Sequence, residues 1–380
     1  MTKILIPFET SVGERRVSAT PETVKKLNKL GCEVYIENSA GELSGFNDFS
    51  YEESGGKIFK GLENEVWKEA DLIFCVQCPD IKKLNQLKPG ALILGLLNPY
   101  GNTNLLSSLV QSKLSAISLE LLPRISRAQS SDALSSQANI AGYKSVLLAA
   151  GELDRYFPML MTAAGTVQPA KVVVLGGGVA GLQAVATAKR LGALVFVSDI
   201  RPVVKEQVES LGAKFIELPE FKEKPSESGG YAKEVSSEFL SEQRNILTRY
   251  LSEADVAICT AQVLGRKAPI LISEKMLDKM RPGSVVIDLA VAQGGNCVNT
   301  KANETFIRNG VKLIGASELP SSVPYHASSL YSKNLIALIS PFIKQGVFEL
   351  NKDDELISGC LLSDKGAILQ EKVFKNGGTN

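Results

Sequence analysis

The segment Gly176-Gly177-Gly178-Val179-Ala180-Gly181 satisfies G-x-G-x-x-G. It follows directly on the apolar run KVVVL, and a helical pattern from Val179 to Leu191 comes behind it. Strand, glycine turn and helix in that order can seat a phosphate. Gly176 permits the tight turn, Gly178 lets a pyrophosphate approach the backbone, and Gly181 allows the helix to pack closely on its strand. The start of the helix then offers unsatisfied N–H groups and the positive end of its dipole. The next apolar run, Leu194 to Val197, leads to Asp199, close to the ~20-residue spacing at which an acid accepts hydrogen bonds from a ribose. Asp199 repels a 2′-phosphate and so favours NAD(H) over NADP(H), although the nearby Arg201 is of a type that can accommodate such a phosphate.

Other chemistry-bearing residues are sparse. His326 is the only histidine, so a reaction needing a histidine acid or base must use it or do without. Standing alone ahead of a helical pattern, it reads as structural. Cys75-Val76-Gln77-Cys78 forms a C-x-x-C, but with no second pair and no neighbouring histidine it reads as core cysteines, and no metal is expected. The six cysteines are too thinly spread for a disulfide framework and fit a reducing compartment.

The elements that must position these groups follow from length and patterning. At roughly 150 residues per domain, 380 residues make two or three domains. Lys plus Arg is 42 against 41 for Asp plus Glu, and this balance argues against nucleic acid or an anionic membrane as partner. Apolar residues at 44% and charged residues at 22% describe an ordinary globular protein. No apolar run approaches the ~18 residues of a membrane span, so direct membrane insertion is not expected. The N-terminal MTKILIPFET reads as a strand without the features of a signal peptide, which leads us to expect a cytoplasmic chain.

Up to about residue 120, short β-rich runs (Ile4 to Ile6, Glu33 to Ile36, Leu72 to Val76, Ala91 to Gly95, Leu114 to Ser118) alternate with helical patterns. One of these patterns, Pro21 to Leu30, has Thr20 as its cap and Gly31 past its end. A polar stretch from 120 to 139 interrupts this, and an apolar helix is expected from about Ile140 to Ala150. Strand and helix alternate again from Lys171 to Asp288, with a further strand at Val311 to Ile314 and a helix from about Ser328 to Gln345. The segment 217–232 reads as a polar surface loop, and the tail from Asn351 onward is weakly patterned. The fold class expected is α/β: two doubly wound parallel-sheet, Rossmann-like domains with a cofactor cleft between them. The first covers 1–127 and is completed by about 320–380; the second, 136–315, binds the dinucleotide.

Beyond the glycine turn, PRISRAQSSDALSSQANIAGY, MTAAGTVQPAKVVVLGGGVAGLQAVATAKRLGA, GGYAKE and PGSVVIDLAVAQGGN resemble the NAD-binding α subunit, soluble domain I, of proton-translocating NAD(P) transhydrogenases. The resemblance covers nearly the whole chain and is strongest from about Glu120 to Asn296. Alanine dehydrogenases share the architecture and are similar at RRVSATP, where Arg16 matches an arginine that holds the substrate carboxylate. Their catalytic lysine falls at Gln77, their histidine at or near Leu96 and their aspartate at Ala292, so all three are missing here. Oxidising an amine requires a group to take the proton that leaves with the hydride. Transfer from one nicotinamide ring to another requires none. With those partners absent, Arg15-Arg16 reads as a salt-bridged surface pair.

The resemblance therefore implies an NAD(P)+ transhydrogenase α subunit. Such a chain transfers hydride directly between NADH and NADP+ held on a partner subunit, coupled to proton translocation by membrane subunits. The alternative is a soluble NAD-dependent amino-acid dehydrogenase with an altered substrate. It also implies catalytic roles for Arg124, Gln129, Asp132 and Ser135, with Gln129 reaching toward the second nucleotide and Asp132 and Ser135 fixing the carboxamide. Arg124, Ile125, Ser126 and Arg127 would lie along the cofactor. Val179, Asp199, Ile200, Arg201, Gly230, Gln243 and Gln262 would surround the dinucleotide, alongside Gly176, Gly178 and Gly181, with Tyr231 closing over it. As partners it implies transmembrane and NADP-binding subunits, a homodimer, and a peripheral place on the cytoplasmic face of the inner membrane.

Overall fold

Runs of Ile, Val and Leu with alternating side chains make the central strands. Ile4 and Ile6 enter one apolar layer and Leu5 the opposite one; Val172 and Val174 likewise oppose Val173 and Leu175. The computed structural model describes residues 1–62, 64–100, 102–218, 237–263, 265–371 and 373. The chain forms two units, one of Met1–Ala138, Leu264–Arg266 and Pro320–Asn380, the other of Asn139–Val263 and Lys267–Leu319.

In the first unit, β1 (Lys3–Ile6), β2 (Glu33–Glu37), β3 (Lys57–Phe59), β4 (Leu72–Gln77), β5 (Leu92–Leu96) and β6 (Ser115–Ser118) pair in parallel in the order β3-β2-β1-β4-β5-β6. The second unit starts with a hairpin of β7 (Leu160–Thr162) and β8 (Gly165–Val167). Its sheet is built from β9 (Lys171–Leu175), β10 (Leu194–Ser198), β11 (Lys214–Phe215), β12 (Val256–Cys259), β13 (Val285–Asp288), β14 (Thr305–Arg308) and β15 (Val311–Gly315). The order is β11-β10-β9-β12-β13-β15-β14, parallel except for β14. Back in the first unit, β16 (Ile343–Lys344) and β17 (Val347–Phe348) form a hairpin, and β18 (Leu361–Asp364) and β19 (Ala367–Ile368) extend the first sheet antiparallel beyond β6.

Both sheets reverse direction of growth beside their first strand, at β1/β4 and at β9/β12. Ligands of open α/β sheets sit at the carboxyl ends of such strands. Among the described residues no helix is long and apolar enough to cross a membrane.

Three expectations need correction. The helix expected from Ile140 is Ala133–Glu152, beginning inside the polar stretch because Asp132 caps it and Gln137 is buried in hydrogen bonds. The helix expected at 328–345 is Pro324–Ile339, which starts on a proline suited to a first turn and stops ahead of Pro341. The weakly patterned tail carries the helix Glu355–Cys360 and the two added strands. Leu356, Ile357, Cys360, Leu361 and Leu362 are all buried there, in elements too short to show a period.

Candidate functional site

The glycine turn sits at the carboxyl end of β9. Gly176 has φ +105°, and a Cβ there would lie 2.7 Å from Thr260 Oγ1 at the end of β12. A Cβ on Gly181 would lie 1.9 Å from the Gly176 carbonyl oxygen, so only glycine lets the helix Val179–Arg190 approach its strand this closely. Gly178 differs: nothing lies within 4 Å of where its Cβ would be. It is the N-cap and supplies no capping side chain, leaving the first-turn N–H groups facing open space. A tight turn, a close-packed helix and an open N-terminus fit a pyrophosphate. Beside this turn Val179 and Ile200 are exposed apolar side chains.

Asp199, at the end of β10, accepts hydrogen bonds from Gly177 N–H on Oδ2 (2.7 Å) and from Arg201 N–H on Oδ1 (2.8 Å). The Arg201 guanidinium closes on both oxygens, at 2.9 Å each. Burial works to raise the pKa of Asp199, but the Arg201 guanidinium and the two amides hold it below the usual carboxylate range.

A buried acid organises the β12 and β13 loops. Asp288 accepts from the amides of Ala290 (2.9 Å), Asn296 (2.8 Å) and Cys297 (2.9 Å) and from Thr300 Oγ1 (2.8 Å). Asn296, itself fully buried, accepts from Ala261 N–H (3.0 Å) and donates to the carbonyls of Ala261 and Pro269 (2.8 Å each). Gln262 is exposed and donates to the Leu289 carbonyl (2.6 Å). Sequence reading missed Asp288 and Asn296, for which G-G-N after a strand was the available signal. Gln243 lies partly exposed on the helix Ser237–Glu253, while Gly230 and Tyr231 fall outside the described residues.

In the first unit, residues 126–131 form a 3-10 turn and Asp132 begins the following helix. Asp132 accepts from Ser135 N–H (2.9 Å) and Ser135 Oγ (2.5 Å), so these two side chains serve as a helix cap here. Arg124, Ser126 and Gln129 are exposed, and Ile125 is partly buried against the core. Arg127 points to Asp354, with which it forms an ion pair.

The carboxyl ends of β1 and β4 hold a network that the sequence did not announce. Glu14 and Arg16 are each 5% exposed. Glu14 Oε1 accepts from Arg16 Nε (2.7 Å) and Ser321 Oγ (2.7 Å), and Oε2 accepts from Arg16 Nη2 (2.6 Å) and Gln77 Nε2 (3.2 Å). Arg16 Nη1 donates to Gln137 Oε1 (2.9 Å). The expected surface pair is therefore corrected: Arg15 is exposed, but Arg16 is internal, buried because a carboxylate meets its guanidinium in a two-point fork. Burial would raise the pKa of Glu14, yet the Arg16 bonds and charge, with Ser321, hold it at about 2.

Glu9 was also missed. Its oxygens accept from Val76 N–H (2.5 Å) and Gln77 N–H (3.2 Å). Burial nevertheless pushes it up from 4.5 to about 7, those amides only partly opposing the shift. Because the fold favours the protonated form, this group contributes stability that is complete below its ordinary value and is lost as pH rises through about 7. Urea unfolding of Glu9→Gln should accordingly show a smaller loss of stability between pH 5 and pH 8 than the parent, the difference being at most about 3 kcal/mol. Parallel pH profiles would contradict the assignment.

Cys75 and Cys78 are pushed up by burial, Cys78 to about 12, so neither thiol ionises readily for metal or redox work. Among the described residues no cluster of His, Cys, Asp and Glu could hold a metal. His326 is exposed, edge-on to Tyr325.

Comparison with known proteins bears on this geometry. Residues 5–141 match the family model for the alanine dehydrogenase/PNT N-terminal domain, and residues 145–371 match that for the C-terminal domain. The chain is 44% identical over 383 aligned positions to an NAD(P) transhydrogenase subunit alpha protein of Rhodospirillum rubrum, covering 99% of this chain and 100% of that protein. A solved transhydrogenase structure from Sinorhizobium meliloti superposes with a TM-score of 0.87 at 40% identity, over 97% of this chain and 100% of that one. Alanine dehydrogenase 2 of Staphylococcus aureus is more distant, 28% identical over 98% of this chain and 95% of its own. With its two-sheet fold and its glycine turn at a switch point, the chain belongs to the alanine dehydrogenase/PNT family and, within it, to the NAD(P) transhydrogenase α subunits.

Proposed function

We propose that this chain binds NADH at the end of β9 and passes its hydride directly to the nicotinamide of NADP+ held by a partner subunit. Gly176, Gly178 and Gly181 would admit the pyrophosphate, with Val179, Ile200, Gln243 and Gln262 around the dinucleotide and Asp199 and Arg201 at the adenosine ribose. Gly230 and Tyr231, assigned by resemblance, would complete this wall. Arg124, Ile125, Ser126 and Arg127 would lie along the cofactor in its nicotinamide half. Gln129, exposed on its turn, would reach the second nucleotide. Asp132 and Ser135 would turn from their mutual hydrogen bonds to the carboxamide. Bound NADH supplies the hydride; the chain's own residues orient the ring, because near-attack geometry lowers such a barrier substantially.

The observation that carries this reading is the closed network at the β1/β4 switch point. Arg16 is held by Glu14 and Gln137, and Gln77 is turned onto Glu14. Where a dehydrogenase would bind a substrate carboxylate and move a proton, this chain has placed its own carboxylate and an amide. Glu9, the titratable neighbour, has both oxygens on backbone amides.

Proton translocation would belong to membrane-spanning partner chains, with this subunit peripheral on the cytoplasmic face. A homodimer is part of the proposal, supported by Tyr156, Met159 and Met161, which stand exposed at and beside the β7–β8 hairpin. The purified chain should bind NADH yet leave NAD+ unreduced in the presence of alanine or other amino acids, and hydride exchange should require an NADP-binding partner. Robust amino-acid oxidation by the isolated chain would overturn the proposal.

A further inference from the structure

We infer that Asp199 fills, with its own carboxylate, a preformed oxyanion cradle built by Gly177 and Arg201, and that this self-occupancy is what excludes a 2′-phosphate from the adenosine end of the site. The inference rests on the nucleotide-binding reading above. Gly177 N–H and Arg201 Nη2 meet Oδ2 at 2.7 and 2.9 Å, while Arg201 N–H and Nε meet Oδ1 at 2.8 and 2.9 Å. A carboxylate has about four lone-pair sites, so none is left over. A guanidinium fork with two backbone amides is also the donor set that holds a phosphate.

Ribose and 2′-phosphate therefore meet different obstacles. Ribose hydroxyls donate, and can take Asp199 once Arg201 leaves. Arg201 is the part able to leave: its side chain is 55% exposed against 6% for Asp199. A phosphate, in contrast, needs the same donors that Asp199 already holds, and two anions cannot share one cradle. Asp199 is thus both the ribose acceptor and the plug of a latent phosphate site, with Arg201 as its specificity-determining counterpart.

The test uses the full chain and titrates NADH and NADPH by nucleotide fluorescence. D199S empties the cradle and leaves the guanidinium and both amides in place, so its NADPH affinity should rise by about tenfold or more, the scale of one charge-assisted hydrogen bond. The gain should vanish in D199S/R201Q, and R201Q alone should bind NADH at least as tightly as the parent. Asp199→Ala provides a second emptied cradle should the serine variant fold poorly. Inorganic phosphate probes the cradle without the nucleotide, and should raise the melting temperature of D199S but not that of the parent or the double variant. If neither emptied variant gains NADPH affinity, or if the gain survives loss of Arg201, the inference fails. A parent that does not bind NADH, alongside phosphate stabilisation of D199S, would instead sink the nucleotide reading and leave the cradle standing.

Discussion

Gly181→Ala is expected to weaken NADH binding by about two orders of magnitude and to destabilise the second unit. The added methyl would sit 1.9 Å from the Gly176 carbonyl oxygen and 2.9 Å from its carbon, both backbone atoms that cannot swing aside. Overpacking of this kind costs about 1–3 kcal/mol or more. Relief requires the helix Val179–Arg190 to move off β9, which carries the first-turn N–H groups away from the phosphates. Each such charge-assisted bond is worth about 1.5–3 kcal/mol, and losing one or two yields the expected drop. Gly151→Ala is the matched control. It lies in the helix Ala133–Glu152 with nothing within 4 Å of its Cβ position, so the same change there should stabilise the chain by up to about 1 kcal/mol. Calorimetric titration and thermal unfolding read both variants, and unaltered NADH affinity in Gly181→Ala would refute the close-packing argument.

The second large effect lies in the first unit. Glu14→Ala should cost about 3–5 kcal/mol, because Arg16 stays charged at any working pH and is left buried without its carboxylate. Replacing both partners, as in Glu14→Leu with Arg16→Met, should cost markedly less, since no buried charge remains. Urea unfolding at neutral pH gives the comparison. A single variant as benign as the double would show that the pair contributes little, and the closed network would then say nothing about substrate.

Local features were readable in the sequence, and features assembled from distant segments were not. The glycine turn and Asp199 lie within one β-α-β stretch, where spacing dictates geometry. The Glu14 network draws on Gln137 and Ser321, which are 121 positions from Arg16 and 307 from Glu14, and no periodicity links them. Arg127 is a similar case. Resemblance puts it on the cofactor, whereas the structure pairs it with Asp354, 227 positions away. Asp199 and Arg201 were both noticed, but only geometry reveals that one saturates the other. In the polar stretch 124–135, composition suggested a loop, while a capping aspartate and a 3-10 turn make it ordered backbone. The edge strands β14, β18 and β19 escaped notice because short antiparallel additions lack the continuous apolar run of a central parallel strand.

The claim on which the account turns is that the hydride goes from ring to ring without a protein group carrying a proton. NADH deuterated at the transferable nicotinamide C4 position, mixed with NADP+, this chain and its NADP-binding partner, tests it directly by mass spectrometry of the products. The account requires one deuteron in NADPH for each turnover, with no exchange into water and no turnover by the chain alone. Deuterium appearing in an amino or hydroxy acid formed by the isolated chain would contradict it.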